Sequence, residues 1–341
     1  MSLVLGIETS CDETAAAVVR DGRWPLSNVL HSQIDLHREF RGVVPEVAMR
    51  SHTARIVPIV QQALADAEVE VPALDAIAVT HRPGMIGCLL VGMSAAKALA
   101  WRFGVALIGV DHIRAHVHAA FMCEPDLPLP CLSLVASGGH TSLYLVRAHD
   151  DVERLGTTRD DAAGEALDKG AALLGLPYPG GPSIEATAVD GDPHAIALPR
   201  PMLSGTSLDF SFSGIKTALL YHLRGPGATR PMPELSPTAL ADVAASYQAA
   251  VVDVLVGKLR RATQQHQPQS LSIGGGVARN QRLRHAICAD DALGGLRRAF
   301  PPLELCSDNG AMIAGLGAWQ LARGMTSELD LQPAATTRSR A

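Results

Sequence analysis

A chain of 341 residues is long enough for two domains or one large two-lobed α/β unit, and it can bury an ample core. Hydrophobic residues make up 47% and charged residues 18%, the balance of a soluble globular protein, which excludes a disordered or fibrous chain. The net charge of −5, from 29 basic and 34 acidic residues, argues against a general nucleic-acid coat while leaving room for a local basic face.

Six cysteines (Cys11, Cys88, Cys123, Cys131, Cys288 and Cys306) form no C-x-x-C pair. Reduced thiols and a cytoplasmic location are therefore expected. Glu8, Asp12 and Glu13 interrupt what would be the apolar region of a signal peptide. The longest apolar stretch, residues 88–110, contains Lys97 and Arg102, so no membrane span is expected.

In chain order, LVLGIETSCDETAAAVVR predicts a strand at 3–7, a tip of hydroxyl and acidic residues, and a second strand at 15–19: a hairpin with a polar tip. Asp21-Gly22-Arg23 turns the chain into a third strand. Apolar residues at helical spacing from Val47 through Ile56, Val60 and Leu64, with Pro45 near the first turn and Pro58 inside, predict one long amphipathic helix. His52 on it is expected at the surface. Residues 74–112 then read as strand, Gly-rich turn (Gly84, Gly87), helix and strand, a βαβ unit with parallel pairing.

DHIRAHVHAAF follows directly on that last strand, at 106–110. Asp111 can cap a helix, and His112 and His116 at i and i+4 project from one face, so two imidazole nitrogens can converge on one metal ion. A lone H-x-x-x-H is more often a pair of surface histidines. Here the pair lies at the carboxyl end of a strand, where ligands of open α/β sheets gather. Ile113 occupies the slot where a zinc peptidase helix carries its glutamate. A carboxylate must therefore come from elsewhere in the chain.

PLPCLSLVASGGHTSLYLVRA repeats the opening device, strand, small polar tip, strand, which points to a duplicated fold with two hairpin tips at a shared cleft and a phosphate site there. A helix at 162–174 ends at Gly175 and leads into the loop PYPGGPS. By themselves Asp161, Glu165 and Asp168 read as a solvated helix face. An aromatic strand-like start and a helix (DFSFSGIKTALLYHL), a Gly/Pro-rich excursion and a long helix at 238–265 come next. PQSLSIGGGVARNQRLRHAI reads as strand, triple glycine and helix, a place where a phosphate or a flat ring can lie against backbone. LELCSDNGAMIAGLGAWQLARG reads as strand, Asp308-Asn309-Gly310 and a helix of small residues. Asp308, at a strand's end, supplies the missing carboxylate. The tail after Gln332 is polar and expected to be disordered.

Taken together, LGIETSCDETAAAVV, RGVVPEVAMRSH, DHIRAHVHAAF, LVASGGHTSLYLV, DDAAGEALDKGAALLGLPYPGGPSIE, DFSFSGIKTAL, IGGGVARNQRLR and CSDNGAMIA resemble, in order, the blocks of the TsaD family. These are tRNA N6-adenosine threonylcarbamoyltransferases, formerly known as O-sialoglycoprotein endopeptidases. The departures are Arg41, where the family commonly has glycine, and Ala136, where it commonly has serine. The resemblance implies an α/β two-lobed actin-like/sugar-kinase (ASKHA) fold with duplicated RNase H-like halves and an interlobe cleft. Its expected division is an N-terminal lobe over 1–110 completed by a helix at 309–330, a C-terminal lobe over 111–308 with the metal and nucleotide sites, and a flexible tail at 331–341.

The resemblance further implies transfer of threonylcarbamoyl from threonylcarbamoyl-AMP to N6 of the adenine 3′ of the anticodon in tRNAs reading codons that begin with A, with release of AMP. It assigns one divalent metal ion per subunit to His112, His116 and Asp308, iron(II) first, with zinc or magnesium as alternatives. Substrate contacts fall on Val135, Ala136, Ser137, Gly138, Gly139, Asp168, Gly181 and Asn280, which reverses the bland reading of Asp168. Asp12 and Glu13 are the candidates for the proton-accepting base. The expected partners are tRNA, threonylcarbamoyl-AMP and TsaB-like and TsaE-like proteins, with no membrane. Two other readings compete: an actin-like ATPase of kinase or chaperone type, which does not need the histidines, and a metallopeptidase, which Ile113 disfavours.

Overall fold

The computed structural model describes residues 1–40 and 42–336. It divides into two units, Met1–Pro125 with Ser307–Ala341, and Asp126–Cys306.

In the first unit, β1 (Leu3–Glu8) and β2 (Glu13–Arg20) form the opening hairpin, with Leu3 opposite Arg20 and Glu8 opposite Ala15. The short β3 (Trp24–Pro25) and β4 (Val29–Ser32) pair with β2. On the other edge of β1, β5 (Ala76–Arg82) and β6 (Ala106–Asp111) add in parallel, giving the order β3-β2-β1-β5-β6. Side chains alternate across a strand. Leu5 and Ile7 accordingly face one side, where they pack with Ile56, Val60, Met93 and Ala96 from the helices Pro45–Asp66 and Ile86–Phe103. Gly6 and Glu8 face the other side. There the helix Gly310–Leu321, apolar all round and largely buried, lies directly on the sheet. A Cβ on Gly6 would stand 2.1 Å from the Gly310 carbonyl oxygen, so only glycine allows this approach.

The second unit repeats the plan. β7 (Cys131–Ala136), β8 (Thr141–Val146) and β9 (Val152–Thr157) run antiparallel in succession, and β10 (Ser270–Gly274) and β11 (Arg297–Ala299) add in parallel beside β7. The order β11-β10-β7-β8-β9 matches the path β6-β5-β1-β2-β3 of the first sheet, which carries β4 on β2 in addition, so the expected duplication is present. Its core is built on the 30-residue helix Pro237–His266, whose Tyr247, Val251, Leu255 and Leu259 are buried. The Tyr247 hydroxyl donates to the carbonyl of Ala166 at 2.7 Å, which satisfies the one polar atom of that ring. Pro237–His266 and Ile86–Phe103 are both long and apolar enough to cross a membrane; the former is mostly buried within its unit.

The structure differs from the sequence reading in several places. The first division falls after Pro125 and the second after Cys306, not at 110/111 and 308/309, so the histidine helix His112–Cys123 belongs to the first unit. Met122 on that helix packs against Gly315, its side chain filling the space that a Cβ there would need. LELC is a helical turn, Leu303–Cys306, and the strand before it is β11. His52 is fully buried: its Nδ1 lies 2.7 Å from Thr14 Oγ1 and its Nε2 2.8 Å from the Cys11 carbonyl oxygen. The start of the expected tail is held, since the Lys97 ammonium donates to the Leu331 carbonyl at 2.6 Å and the Ala334 amide to the His81 carbonyl at 2.9 Å. Arg41 and residues 337–341 lie outside the described residues.

Candidate metal centre and glycine loops

Asp111 ends β6 and begins the histidine helix. Its Oδ1 accepts from the amides of Ile113 and Arg114 at 3.1 and 3.2 Å, and its Oδ2 faces Arg82 Nε at 3.2 Å. Asp111 is therefore engaged as the cap and ion-pair partner. The helix it starts is buried nearly along its whole length, including Ile113. His112 and His116 are themselves buried, at 4% and 1% exposure, not surface imidazoles. Their rings meet edge to face, centroids 4.7 Å apart. Both Nε2 atoms point at the same oxygen, Asp308 Oδ1, at 3.5 Å from His112 and 3.1 Å from His116. One donor atom from each of the three residues lies within 4.8 Å of the others.

The charges around this cluster are arranged by burial and by carboxylates. Burial disfavours the His112 imidazolium, but the charges of Asp308 and Glu8 outweigh it and push the group up to about 9. Burial dominates at His116, which is lowered, and its Nδ1 is buried with no hydrogen-bond partner. Glu13 at the hairpin tip is held well above the usual carboxylate range by burial first and by the charges of Asp12 and Asp308 next. Glu13 thus lies within electrostatic reach of Asp308, and Asp12 within reach of Glu13, all in the same unit.

Sequence reasoning missed Glu8. Its side chain is fully buried at the end of β1, and its Oε2 receives both His112 Nδ1 at 2.9 Å and Thr80 Oγ1 at 2.6 Å. The Ser10 amide donates to Oε1 at 2.5 Å. The only signal was a carboxylate closing an otherwise apolar strand, LVLGIE, on the face that β1 shares with Gly6.

The other sequence-selected residues fall in the second unit. Val135 and Ala136 end β7 and are buried, so only their backbone is available to a ligand. Beyond them the tip is shaped by the Ser137 amide donating to the His140 carbonyl at 2.7 Å and the His140 amide to Ser137 Oγ at 3.1 Å. A Cβ on Gly138 or Gly139 would meet nothing within 4 Å. Asp168 is not a solvated residue: its Oδ1 accepts from the Gly180 amide at 2.7 Å, where the helix Gly180–Thr187 begins. Gly181, next in that helix, would place a Cβ only within ordinary contact of Leu167. Asn280 is 6% exposed and caps the helix Gln281–Cys288, its Oδ1 accepting from the Leu283 amide at 2.9 Å. Of the triple glycine, Gly275 has φ +84° and Gly276 faces open space. Arg284 is tied down, donating to the carbonyls of Ala278 and Pro301 at 2.7 and 3.0 Å.

Residues 25–315 match the model of the family TsaD, tRNA N6-adenosine threonylcarbamoyltransferase. A protein of that name from Anaeromyxobacter dehalogenans (strain 2CP-1) is 53% identical over 332 residues, which cover 97% of this chain and 98% of that protein. Among solved structures, T. kodakarensis HypF superposes with a TM-score of 0.63 at 17% identity, over 97% of this chain and 49% of that one. Component A of the Acidaminococcus fermentans (R)-2-hydroxyglutaryl-CoA dehydratase gives 0.56 at 17%, over 95% and 100%. At such identities these two likenesses speak for the ASKHA-type fold alone. The sequence likeness, which runs nearly end to end, speaks for more: this chain is a tRNA-modifying transferase of the TsaD family.

Proposed function

We propose that the protein transfers threonylcarbamoyl from threonylcarbamoyl-AMP to N6 of the adenine 3′ of the anticodon in tRNAs reading codons that begin with A, releasing AMP. The observation that carries this reading is the convergence of the buried His112 and His116 with Asp308 in a chain of this family. Two imidazoles and one carboxylate form a donor set suited to iron(II) or zinc, with iron(II) the first expectation and magnesium the least suited to nitrogen donors. Both Nε2 atoms converge on one oxygen, Asp308 Oδ1, at 3.5 and 3.1 Å, which is the arrangement that three ligands of one ion need. His112, His116 and Asp308 would hold one divalent ion, whose chemistry is that of a Lewis acid polarising a donor oxygen.

The chain's own residues do the rest in this reading. An adenine amine is a poor nucleophile because its lone pair is delocalised into the ring, so the acyl group must arrive activated as a mixed anhydride with AMP as leaving group. Backbone amides at Gly138 and Gly139 stabilise the phosphate as AMP departs, the Ser137 amide being already engaged by the His140 carbonyl. The open faces of Gly276 and Gly181 admit the nucleoside, beside the backbone of Val135 and Ala136 and the ordered turns that Asp168 and Asn280 maintain. Asp12 and Glu13 are the candidates to take the amine proton. The target base belongs to a single-stranded loop, so turning it out costs little. The same reading assigns TsaB-like and TsaE-like partner proteins and a cytoplasmic location.

The test is mass spectrometry of nucleosides from unmodified tRNA incubated with the protein, threonine, bicarbonate, ATP and the companion proteins. Threonylcarbamoyladenosine at the position 3′ of the anticodon is the expected product. Unmodified adenine, with the companion proteins shown active on a known family member, overturns the reading.

A further inference from the structure

The two histidines of the trio are held unequally. Each turns Nε2 toward Asp308 Oδ1, but their Nδ1 atoms meet opposite environments. His116 Nδ1 is buried without a partner. His112 Nδ1 lies 2.9 Å from Glu8 Oε2 and 3.3 Å from Ser10 Oγ. Glu8 is itself fixed: Thr80 Oγ1 donates to Oε2 and the Ser10 amide to Oε1, which leaves the fully buried carboxylate with donors on both oxygens. Strand alternation puts Glu8 on the sheet face that carries the helix Gly310–Leu321, and so on the side from which Asp308 approaches.

We infer that Glu8 is a positioning residue for the metal site: it accepts a charge-assisted hydrogen bond from His112 Nδ1, fixes that ring in one orientation, and so presents Nε2, on the Asp308 side, to the metal. An ionised carboxylate can only accept, so Nδ1 must donate. That bond selects the tautomer and raises the basicity of the ligating nitrogen, the effect by which outer partners strengthen metal sites. Thr80 and Ser10 complete the support by keeping the carboxylate in place. The inference rests on the metal reading proposed above, and it deepens that reading by naming what orients one ligand and not the other.

Zinc, which is diamagnetic, is the probe. Zinc affinity of the whole protein is measured by competition with a chromophoric chelator for wild type, His112→Ala, Glu8→Gln and Glu8→Ala. Long-range proton–nitrogen correlation on zinc-loaded wild type carrying 15N-histidine reports which His112 nitrogen is protonated and which is metal-bound. The expected result is a protonated Nδ1 and a zinc-bound Nε2, loss of the site in His112→Ala, and weakening of about 10- to 100-fold in Glu8→Ala. Glu8→Gln keeps an acceptor but no charge and falls between Glu8→Ala and wild type. If His112→Ala binds zinc as tightly as wild type, the metal reading itself fails and the inference with it. If His112→Ala loses zinc while both Glu8 variants stay within twofold of wild type, only the role of Glu8 is overturned. A zinc-bound Nδ1 in wild type overturns it too, and that readout needs no variant to fold.

Discussion

A Cβ on Gly275 would stand 2.3 Å from the carbonyl oxygen of Ala136, because the chain leaving β10 crosses directly over the end of β7. With φ at +84°, Gly275 is doubly constrained by backbone, and nothing about a bound nucleotide is needed to explain it. Gly276, with open space where its Cβ would be, is the glycine free to report a ligand. Gly275→Ala should therefore destabilise the protein by about 2 kcal/mol or more, from the left-handed conformation and the displaced strand end. Gly276→Val should unfold near the wild-type urea concentration yet bind AMP at least about tenfold more weakly by calorimetry. Equal AMP affinity in Gly276→Val would remove the nucleoside from this turn.

Asp308 is a cleaner probe of the metal site than either histidine. Truncating a buried imidazole opens a cavity, whereas Asp308, with a side chain 17% exposed, can become asparagine at nearly constant shape. The change removes the negative charge that complements a divalent cation and leaves one oxygen donor. Metal content after dialysis against zinc or iron(II) should fall at least about tenfold, beyond the lower bound typical of losing an outer partner. Metal analysis on the folded fraction decides it. Undiminished content would point to Glu13, which interacts with Asp308 electrostatically, or to its neighbour Asp12 as the carboxylate donor.

How much of this was legible in the sequence depended on what kind of signal each feature leaves. The two hairpin tips could be read because small polar residues interrupt two apolar alternating strands, and that pattern survives in β1–β2 and β7–β8. That His112 and His116 turn toward one point could be read because i, i+4 spacing dictates a shared helix face before any tertiary contact is known. Glu8 could not. One carboxylate after a buried strand reads equally well as the first residue of a turn, and its partners Thr80 and His112 lie 72 and 104 residues away. Nor does a glycine's letter say whether ligand or backbone occupies the place of its Cβ, which is why Gly275 and Gly276 looked alike. LELC fits strand alternation and one helical turn equally, and the pairing that chose between them involves β11 and β10.

Asp160 anchors the helix Ser213–Arg224 from a distance in sequence. Its Oδ1 accepts from the Phe212 and Ser213 amides at 2.8 and 3.2 Å, and its Oδ2 from the hydroxyls of Ser211 and Ser213 at 2.6 and 2.7 Å. Burial would raise this carboxyl, but the four hydrogen bonds prevail and hold it below its usual value. A folded-state value below the unfolded one means that the stabilisation is complete above the unfolded value and is lost as pH falls through the folded one. Asp160→Asn should cost about 1 kcal/mol at pH 7, in the range of a lost helix cap, and the gap should close below about pH 4. Urea midpoints at the two pH values test it. A gap that persists in acid would mean that geometry, not charge, is what Asp160 supplies.

Lys258 gives a pH dependence of a different origin, because here the cost lies in the charge. Its ammonium, on a fully buried side chain of the helix Pro237–His266, donates to the carbonyls of Met202 and Ser207 at 2.6 and 2.7 Å. Burial, and then the neighbouring Arg261 charge, lower it to about 8. The unfolded chain keeps this proton up to about pH 10.4, so between those values it binds more protons than the folded one, and the contribution of Lys258 to stability rises with pH across that window. Arg261 also donates to the Ser207 carbonyl, at 2.9 Å, and to that of Leu203 at 2.6 Å, so removing Lys258 does not leave the 202–207 segment without support. Lys258→Met should therefore cost only about 1–3 kcal/mol at pH 7, the range for under-satisfied buried carbonyls. The deficit of the variant relative to wild type should widen between about pH 8 and pH 10 as the lysine sheds its charge inside the folded protein. Urea denaturation of both proteins at pH 7 and pH 9.5 measures the difference. A deficit that narrows with rising pH would mean that the ammonium charge, held by those carbonyl dipoles, is itself stabilising.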